Sequence, residues 1–226
     1  MTRVPVRLES IFRKFDASVR IGRQRNRLRP VFGAGKFRRP RFLFCFINPT
    51  HLNLSSHPGY EGTRRYPFIG VRHVWRFFAD AGFVDRKIVD DIYRRGWRIP
   101  DEDLVERSLA KHGVYLTNLV KCTQPGPENP TMKVVREDLP LLLEEIRIVD
   151  PDYIVTFGAL PFRALAGQDI RLQDVFEAVG RKAFRPTKSV PAHGKTYPVL
   201  PCYFPIGRGD RKKALAVLRY IKKRFA

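Results

Sequence analysis

Cysteine is scarce in this chain of 226 residues: Cys45, Cys122 and Cys202 lie far apart, are odd in number and form no CxxC pair. That argues against a disulfide framework or a cysteine-bound zinc, and it fits a reducing compartment. Each thiol has apolar neighbours and reads as buried. Long apolar runs are also missing, and none approaches the roughly 20 residues that cross a bilayer. The N-terminus lacks the apolar core of a secretory signal; its Arg-rich, acid-poor start is compatible with a mitochondrial presequence. There is no phosphate-binding glycine loop and no GxSxG elbow, and Gly207-Arg208-Gly209-Asp210 has the wrong spacing for the former. His51 and His57 share a loop but have no metal-ligand spacing to a cysteine or carboxylate cluster, so no metal is expected. Acids are under-represented: 22 Asp+Glu face 43 Lys+Arg, a formal net charge of +21. Such an excess repels itself unless a polyanion is near, so DNA, RNA or an anionic membrane surface is the expected partner.

What is present is a globular composition, 43% apolar and 12% aromatic, on a length that suits one core. Residues 1–40 hold 12 Lys/Arg against two acids. They read as a short helix, Glu9–Ser18, and then a basic arm to Pro40 outside the domain. The arm either lies along phosphates or is an unstructured tail. From 41 to 226 strands and helices alternate. Apolar runs at 42–47, 114–120, 153–157 and 197–202 read as strands. Helices are expected near 71–81, 101–112, 131–149 (bent or restarted at Pro140), 158–166 and 210–225. The pattern predicts a three-layer α/β/α sandwich around a central, mostly parallel four-stranded sheet. Its ligand should sit at the C-terminal ends of the strands.

Three strand ends deliver polar groups to that edge: Asn48, Asn118 and the Gly158 turn. An asparagine after a strand is most often a turn former. Here Asn48 can orient a water through its amide carbonyl, and Asn118 can pair with a nucleobase edge. Phe68, after Pro67, offers a flat face for stacking a base. Arg211 and Lys212 open the last helix, where cations and a helix N-terminus both favour phosphate. The acids Asp90, Asp91 and Asp101–Asp103 raise a metal-dependent nuclease as a third reading, although they look like helix-start and surface positions.

The set Phe46-Ile47-Asn48-Pro49, Ser55-Ser56, Tyr66-Pro67-Phe68, Val74-Trp75 and Ala81-Gly82-Phe83-Val84-Asp85-Arg86 resembles the uracil-DNA glycosylase superfamily. It is nearest to the mismatch-specific uracil/thymine branch, whose first motif reads Gly-Ile-Asn-Pro-Gly. Leu116-Thr117-Asn118-Leu119-Val120-Lys121-Cys122, with Pro125-Gly126 and Asn129-Pro130, looks instead like the thermostable iron–sulfur branch. The resemblance covers about residues 40–226. It implies a monofunctional glycosylase, acting as a monomer without a cofactor, that flips uracil or another deaminated or mismatched base out of DNA. It implies Asn48 at the attacking water and Phe68 stacked on the base. It also implies Asn118 on the uracil edge and the Pro49-Thr50 backbone near a pyrimidine carbonyl. Ser55, Ser56 and the loop Ile206-Gly207-Arg208 would face DNA, with Ile206 or Arg208 entering the gap the base leaves. The location implied is cytoplasmic and nucleoid-associated in a prokaryote, nuclear or mitochondrial in a eukaryote.

There are departures from the family pattern. Phe46 and Thr50 replace glycines. Tyr203-Phe204-Pro205-Ile206-Gly207-Arg208-Gly209-Asp210 replaces a final motif that usually holds His-Pro-Ser or Asn-Pro-Ser. Only Cys122 matches an iron–sulfur ligand, so no cluster is expected. A catalytically weak nucleic-acid-binding protein of the same fold is the competing reading.

Overall fold

A computed structural model describes residues 4–22, 28–126, 128–205 and 209–226, with backbone alone for 18–22. The expected strands form: β2 (Phe42–Phe46), β3 (Val114–Asn118), β4 (Tyr153–Phe157) and β6 (Pro198–Cys202) are mutually parallel. Two short antiparallel strands, β1 (Ala34–Gly35) and β5 (Thr187–Lys188), cap the edges. The sheet is therefore six-stranded rather than four-stranded, in the order β1-β3-β2-β4-β6-β5. Two-residue edge strands have no periodicity of their own, which is why the pattern did not reveal them. Pro201 sits in β6 beyond the Val199 and Pro198 positions that β5 pairs, so its missing N–H costs no bond on that side.

The strands alternate between two apolar layers. Phe42, Phe44, Phe46, Val114, Leu116, Val155, Phe157, Leu200 and Cys202 share one core with helices α2 (Arg72–Asp80), α3 (Arg86–Arg95), α4 (Asp101–Lys111), α7 (Leu172–Gly180) and α8 (Arg211–Phe225). Leu43, Cys45, Tyr115, Ile154 and Val199 share the other with α1 (Val6–Gly22), α5 (Met132–Val149) and α6 (Ala159–Ala166). A strand buried on both faces reads as a continuous apolar run because both parities must be hydrophobic. Helix α5 runs through Pro140 as one element, so of the expected bend or restart the restart does not occur; Thr131 caps it by accepting the Val134 N–H. Among the described residues, no helix is long and apolar enough to cross a membrane.

The basic N-terminal segment is not an arm outside the domain. Leu8 and Phe12 are buried in the α5 layer, and Phe12 stacks on Phe32 at 4.4 Å. The chain then crosses the C-terminal edge of the sheet. Arg29 N–H donates to Ser56 O (2.7 Å), Val31 N–H to Lys121 O (2.9 Å) and Phe32 N–H to Arg65 O (2.8 Å). Its apolar residues at 8, 12, 31, 32, 34 and 37 are spent on non-local contacts, so charge was a poor guide to its position.

Candidate active site

The chain leaves β2 for β3 on one side and then crosses to β4 on the other, so β2 is where the strand order reverses. In an open α/β sheet the ligand crevice opens at that point, beyond the strands' C-terminal ends. Phe46 is in register with Asn118. The pairing continues past the sheet: Leu119 N–H donates to Phe46 O (2.7 Å), Val120 N–H to Ile47 O (2.9 Å) and Gln124 N–H to Pro49 O (2.9 Å). Asn48 therefore follows the end of β2, beside the end of β3 that carries Asn118, and the two chain ends are tied together.

Asn48 is half-buried, and its Nδ2 donates to Pro49 O at 3.1 Å. That leaves Oδ1 as the acceptor the amide can offer a ligand or a water. The Thr50–Gln124 bridge uses the Gln124 and His51 N–H groups. No acceptor among the described residues takes the Thr50 N–H. Asn118 is 1% exposed, and its Nδ2 is buried with no hydrogen-bond partner. An unpaired buried amide donor costs about 1–3 kcal/mol and asks for an explanation.

Phe68 holds a left-handed backbone, φ 69°. For an aromatic residue this is a strained state, and such states cluster at functional sites. The strain is held from both sides. Trp75 Nε1–H donates to Phe68 O at 2.9 Å, and the Phe46 ring meets the Phe68 ring edge to face at 4.7 Å. Phe46 also stacks on Phe157 at 4.4 Å. It thus joins Phe68 to the end of β4.

Other expected site residues fare differently. Ser55 and Ser56 are fully buried, so their hydroxyls do not face DNA. Ser56 Oγ donates to Asn53 O (2.7 Å), and Asn53 Nδ2 donates to Ser55 Oγ (3.3 Å) and Tyr66 O (3.2 Å). These serines build the loop beneath the Phe68 segment. Arg211 pairs with Asp80 at 2.9 Å and lies over the Phe77 ring, tying α8 to α2. Lys212 is exposed, while Asp210 caps α8 by accepting the Lys213 N–H. That carboxylate occupies the helix end that was expected to attract phosphate. Ile206, Gly207 and Arg208 lie outside the described residues.

Of the acids of the nuclease reading, Asp101 and Glu102 are engaged in structure. Asp101 takes both Arg95 guanidinium nitrogens (2.9 and 2.6 Å). Glu102 accepts from Tyr60 Oη (2.8 Å) and from Thr63 N and Oγ1 (both 3.0 Å), fixing the loop that leads to Phe68. Burial pushes the Glu106 carboxyl up to about 7, against the pull of Arg64 at 3.2 Å. The three thiols of the chain cannot supply the four thiolates of an iron–sulfur cluster. Cys45 and Cys202 are also buried on strands separated by β4, and burial pushes the Cys45 thiol up to about 12.

One set of residues escaped the sequence reading. Lys121, Glu145 and Asp138 are completely buried. The available signal was that Asp138 and Glu145 fall, with Leu142, on the apolar stripe of α5. A separate cavity of about 630 Å³ lies by Arg38, Arg39, Asp150, His193 and Tyr197, away from these strand ends. Its cations are largely taken up by Asp150 and Glu144.

A parallel sheet covered on both faces, with Asn48 just past β2, Asn118 at the end of β3 and the Phe68 ring against Phe46, defines an α/β protein with polar and aromatic groups at its reversal point. A sequence model of the Uracil DNA glycosylase superfamily matches residues 22–223, and the chain belongs to that superfamily. It is 30% identical over 117 residues to the Type-4 uracil-DNA glycosylase of Thermotoga maritima, covering 51% of this chain and 57% of that one. It is 30% identical over 82 residues to the Type-4 uracil-DNA glycosylase of Pyrobaculum aerophilum, covering 36% and 37%. The chain thus spans little more than half, or less, of the curated relatives it matches. Both relatives carry the Type-4 name, whereas the first motif resembled the mismatch-specific branch.

Proposed function

We propose that this protein is a monofunctional DNA glycosylase that flips uracil out of DNA and hydrolyses its N-glycosidic bond, leaving an abasic site. The observation that carries the reading is the buried, unpartnered Asn118 amide beside Asn48 and the strained Phe68, at the sheet's reversal point. A base within a duplex is out of reach, so extrusion comes first, at a cost of a few kcal/mol. Phe68 stacks on the extruded ring, and Asn118 Nδ2 donates to a ring carbonyl. Bond cleavage builds positive charge on the sugar and negative charge on the departing pyrimidine. Donors aimed at the carbonyls stabilise that charge where it grows, and the unengaged Thr50 N–H supplies a second one. Asn48 Oδ1 orients the water below the sugar. An amide cannot take the proton, so the step forgoes the roughly 10²–10⁴-fold that a general base supplies. A slow enzyme follows.

The competing reading, a binding protein of the same fold, draws on the final motif, where Tyr203-Phe204-Pro205 stands without a histidine. One experiment separates the two. A labelled oligonucleotide with one uracil, single-stranded or opposite G or A, is incubated in EDTA and treated with alkali. Strand breaks with the wild type that vanish in Asn48→Ala, with DNA affinity unchanged, are the expected result. Intact uracil despite salt-sensitive binding overturns the enzyme reading. The G-to-A ratio tests the mismatch-specific assignment against the Type-4 one.

A further inference from the structure

We infer that the buried Lys121–Glu145 ion pair is a positioning device for Asn118, working from the opposite face of the sheet; this rests on the base-reading role proposed above for Asn118. The pair is fully inaccessible, with Lys121 Nζ 2.5 Å from Glu145 Oε2. Burying two charges rarely gains stability over an apolar pair of similar volume. The contacts suggest what is gained instead. Lys121 Nζ has three protons, and its three partners are Glu145 Oε2, Thr117 Oγ1 at 2.5 Å and the Asn118 carbonyl at 2.6 Å. Glu145 also accepts from Tyr115 Oη (2.5 Å) and Thr117 Oγ1 (3.0 Å). The Lys121 N–H donates to Asp138 Oδ2 at 2.9 Å. Two carboxylates of one helix therefore grip the last turn of chain after β3.

Strand parity decides where this grip acts. Tyr115 belongs to the α5 layer, and Thr117 shares its parity, whereas Val114 and Leu116, with the parity of Asn118, belong to the other layer. Lys121 reaches back to the Asn118 carbonyl from behind, and Leu119 and Val120 are pinned to β2 from the side. The Asn118 backbone is thus held while its amide stays unspent. A desolvated donor without a partner is useful only if its direction is fixed before the ligand arrives.

The test uses the full-length chain and the paired variant Lys121→Met/Glu145→Gln. The Glu145→Gln change is avoided alone because it would strand the ammonium; in the pair the new amide keeps an acceptor for Tyr115 and Thr117. Asn118→Ala and the triple variant complete a cycle, and Thr117→Val loosens the same turn with the ion pair intact. The paired variant is expected to melt as cooperatively as the wild type and bind uracil-containing DNA equally well. Its single-turnover excision should fall about 10- to 100-fold, the scale of a misplaced group. Thr117→Val should fall less. The triple variant should be no slower than Asn118→Ala alone, because coupled effects do not add. Wild-type excision in the paired variant, or a loss that adds fully to that of Asn118→Ala, overturns the inference. A second readout is independent of activity: the Asn118 side-chain amide should give one sharp pair of NMR signals in the wild type and broadened or multiple signals in the paired variant. Unchanged signals also overturn the inference. If the wild type excises no uracil, the proposed function fails, and the NMR comparison alone decides the positioning claim.

Discussion

Phe68 offers a prediction in which stability and activity separate. Its φ of 69° costs an ordinary side chain about 1–2 kcal/mol. Replacement by alanine removes the ring and keeps the strain. Replacement by glycine removes the ring and the strain, but adds about 0.5–1 kcal/mol of unfolded-state entropy. Loss of the edge-to-face contact with Phe46 is common to both variants and cancels. Glycine should therefore be the more stable by roughly 0.5–1 kcal/mol, reversing the usual order. For a domain of this size that is a melting difference of about 1–4 °C. Activity should not follow stability. Base–aromatic stacking is worth about 1–3 kcal/mol, so both variants should lose roughly tenfold to a hundredfold in kcat/KM on a uracil-containing oligonucleotide. Paired thermal melts and excision assays check both halves. An alanine variant as stable as the glycine variant would refute the strain argument. Full excision by either would refute the stacking role.

Three further outcomes follow from the same geometry. Burial raises the Glu106 carboxyl from 4.5 to about 7, so the folded state binds a proton that the unfolded chain releases. Stability should fall as pH rises across that window, by at most about 3 kcal/mol, and Glu106→Gln should flatten the melting-temperature profile between pH 4.5 and about 8. Asp210→Ala should lower stability by about 1 kcal/mol by removing the cap on Lys213 N–H, whereas Asp210→Asn, a good cap, should keep stability and bind DNA more tightly; equal melts for the two would count against the cap. Lys212→Ala should reduce the slope of log affinity against log salt by about 1, while Ser56→Ala should leave that slope alone and lower the melting temperature, since Ser56 is buried.

The elements that could be read in advance were those whose signal is local. Phe42–Phe46, Val114–Asn118, Tyr153–Phe157 and Pro198–Cys202 carry apolar residues at both parities, as a strand covered on both faces requires. The helices α3 and α7 were missed because each is short and buries few residues, Val89 and Ile92 in one and Val175 in the other. The basic N-terminal segment misled because charge marks a surface without saying what lies beneath it. Leu8 and Phe12 are buried in the cluster that holds α5, Phe12 also meets Phe32, and Val31 is tied to Lys121 across the sheet edge.

The site divides in the same way. Order along the chain determined the three-layer plan and the strand ends at which Asn48 and Asn118 stand. What the tertiary structure decided was state rather than identity. It placed Phe68 in a left-handed backbone, left the Asn118 amide buried without a partner, turned Ser55 and Ser56 inward, and set Lys121 against Glu145 beneath the strand end. The physical reason is that conformation at a strand's periodic positions follows from local pattern, whereas burial and hydrogen-bond satisfaction depend on which distant segments meet there.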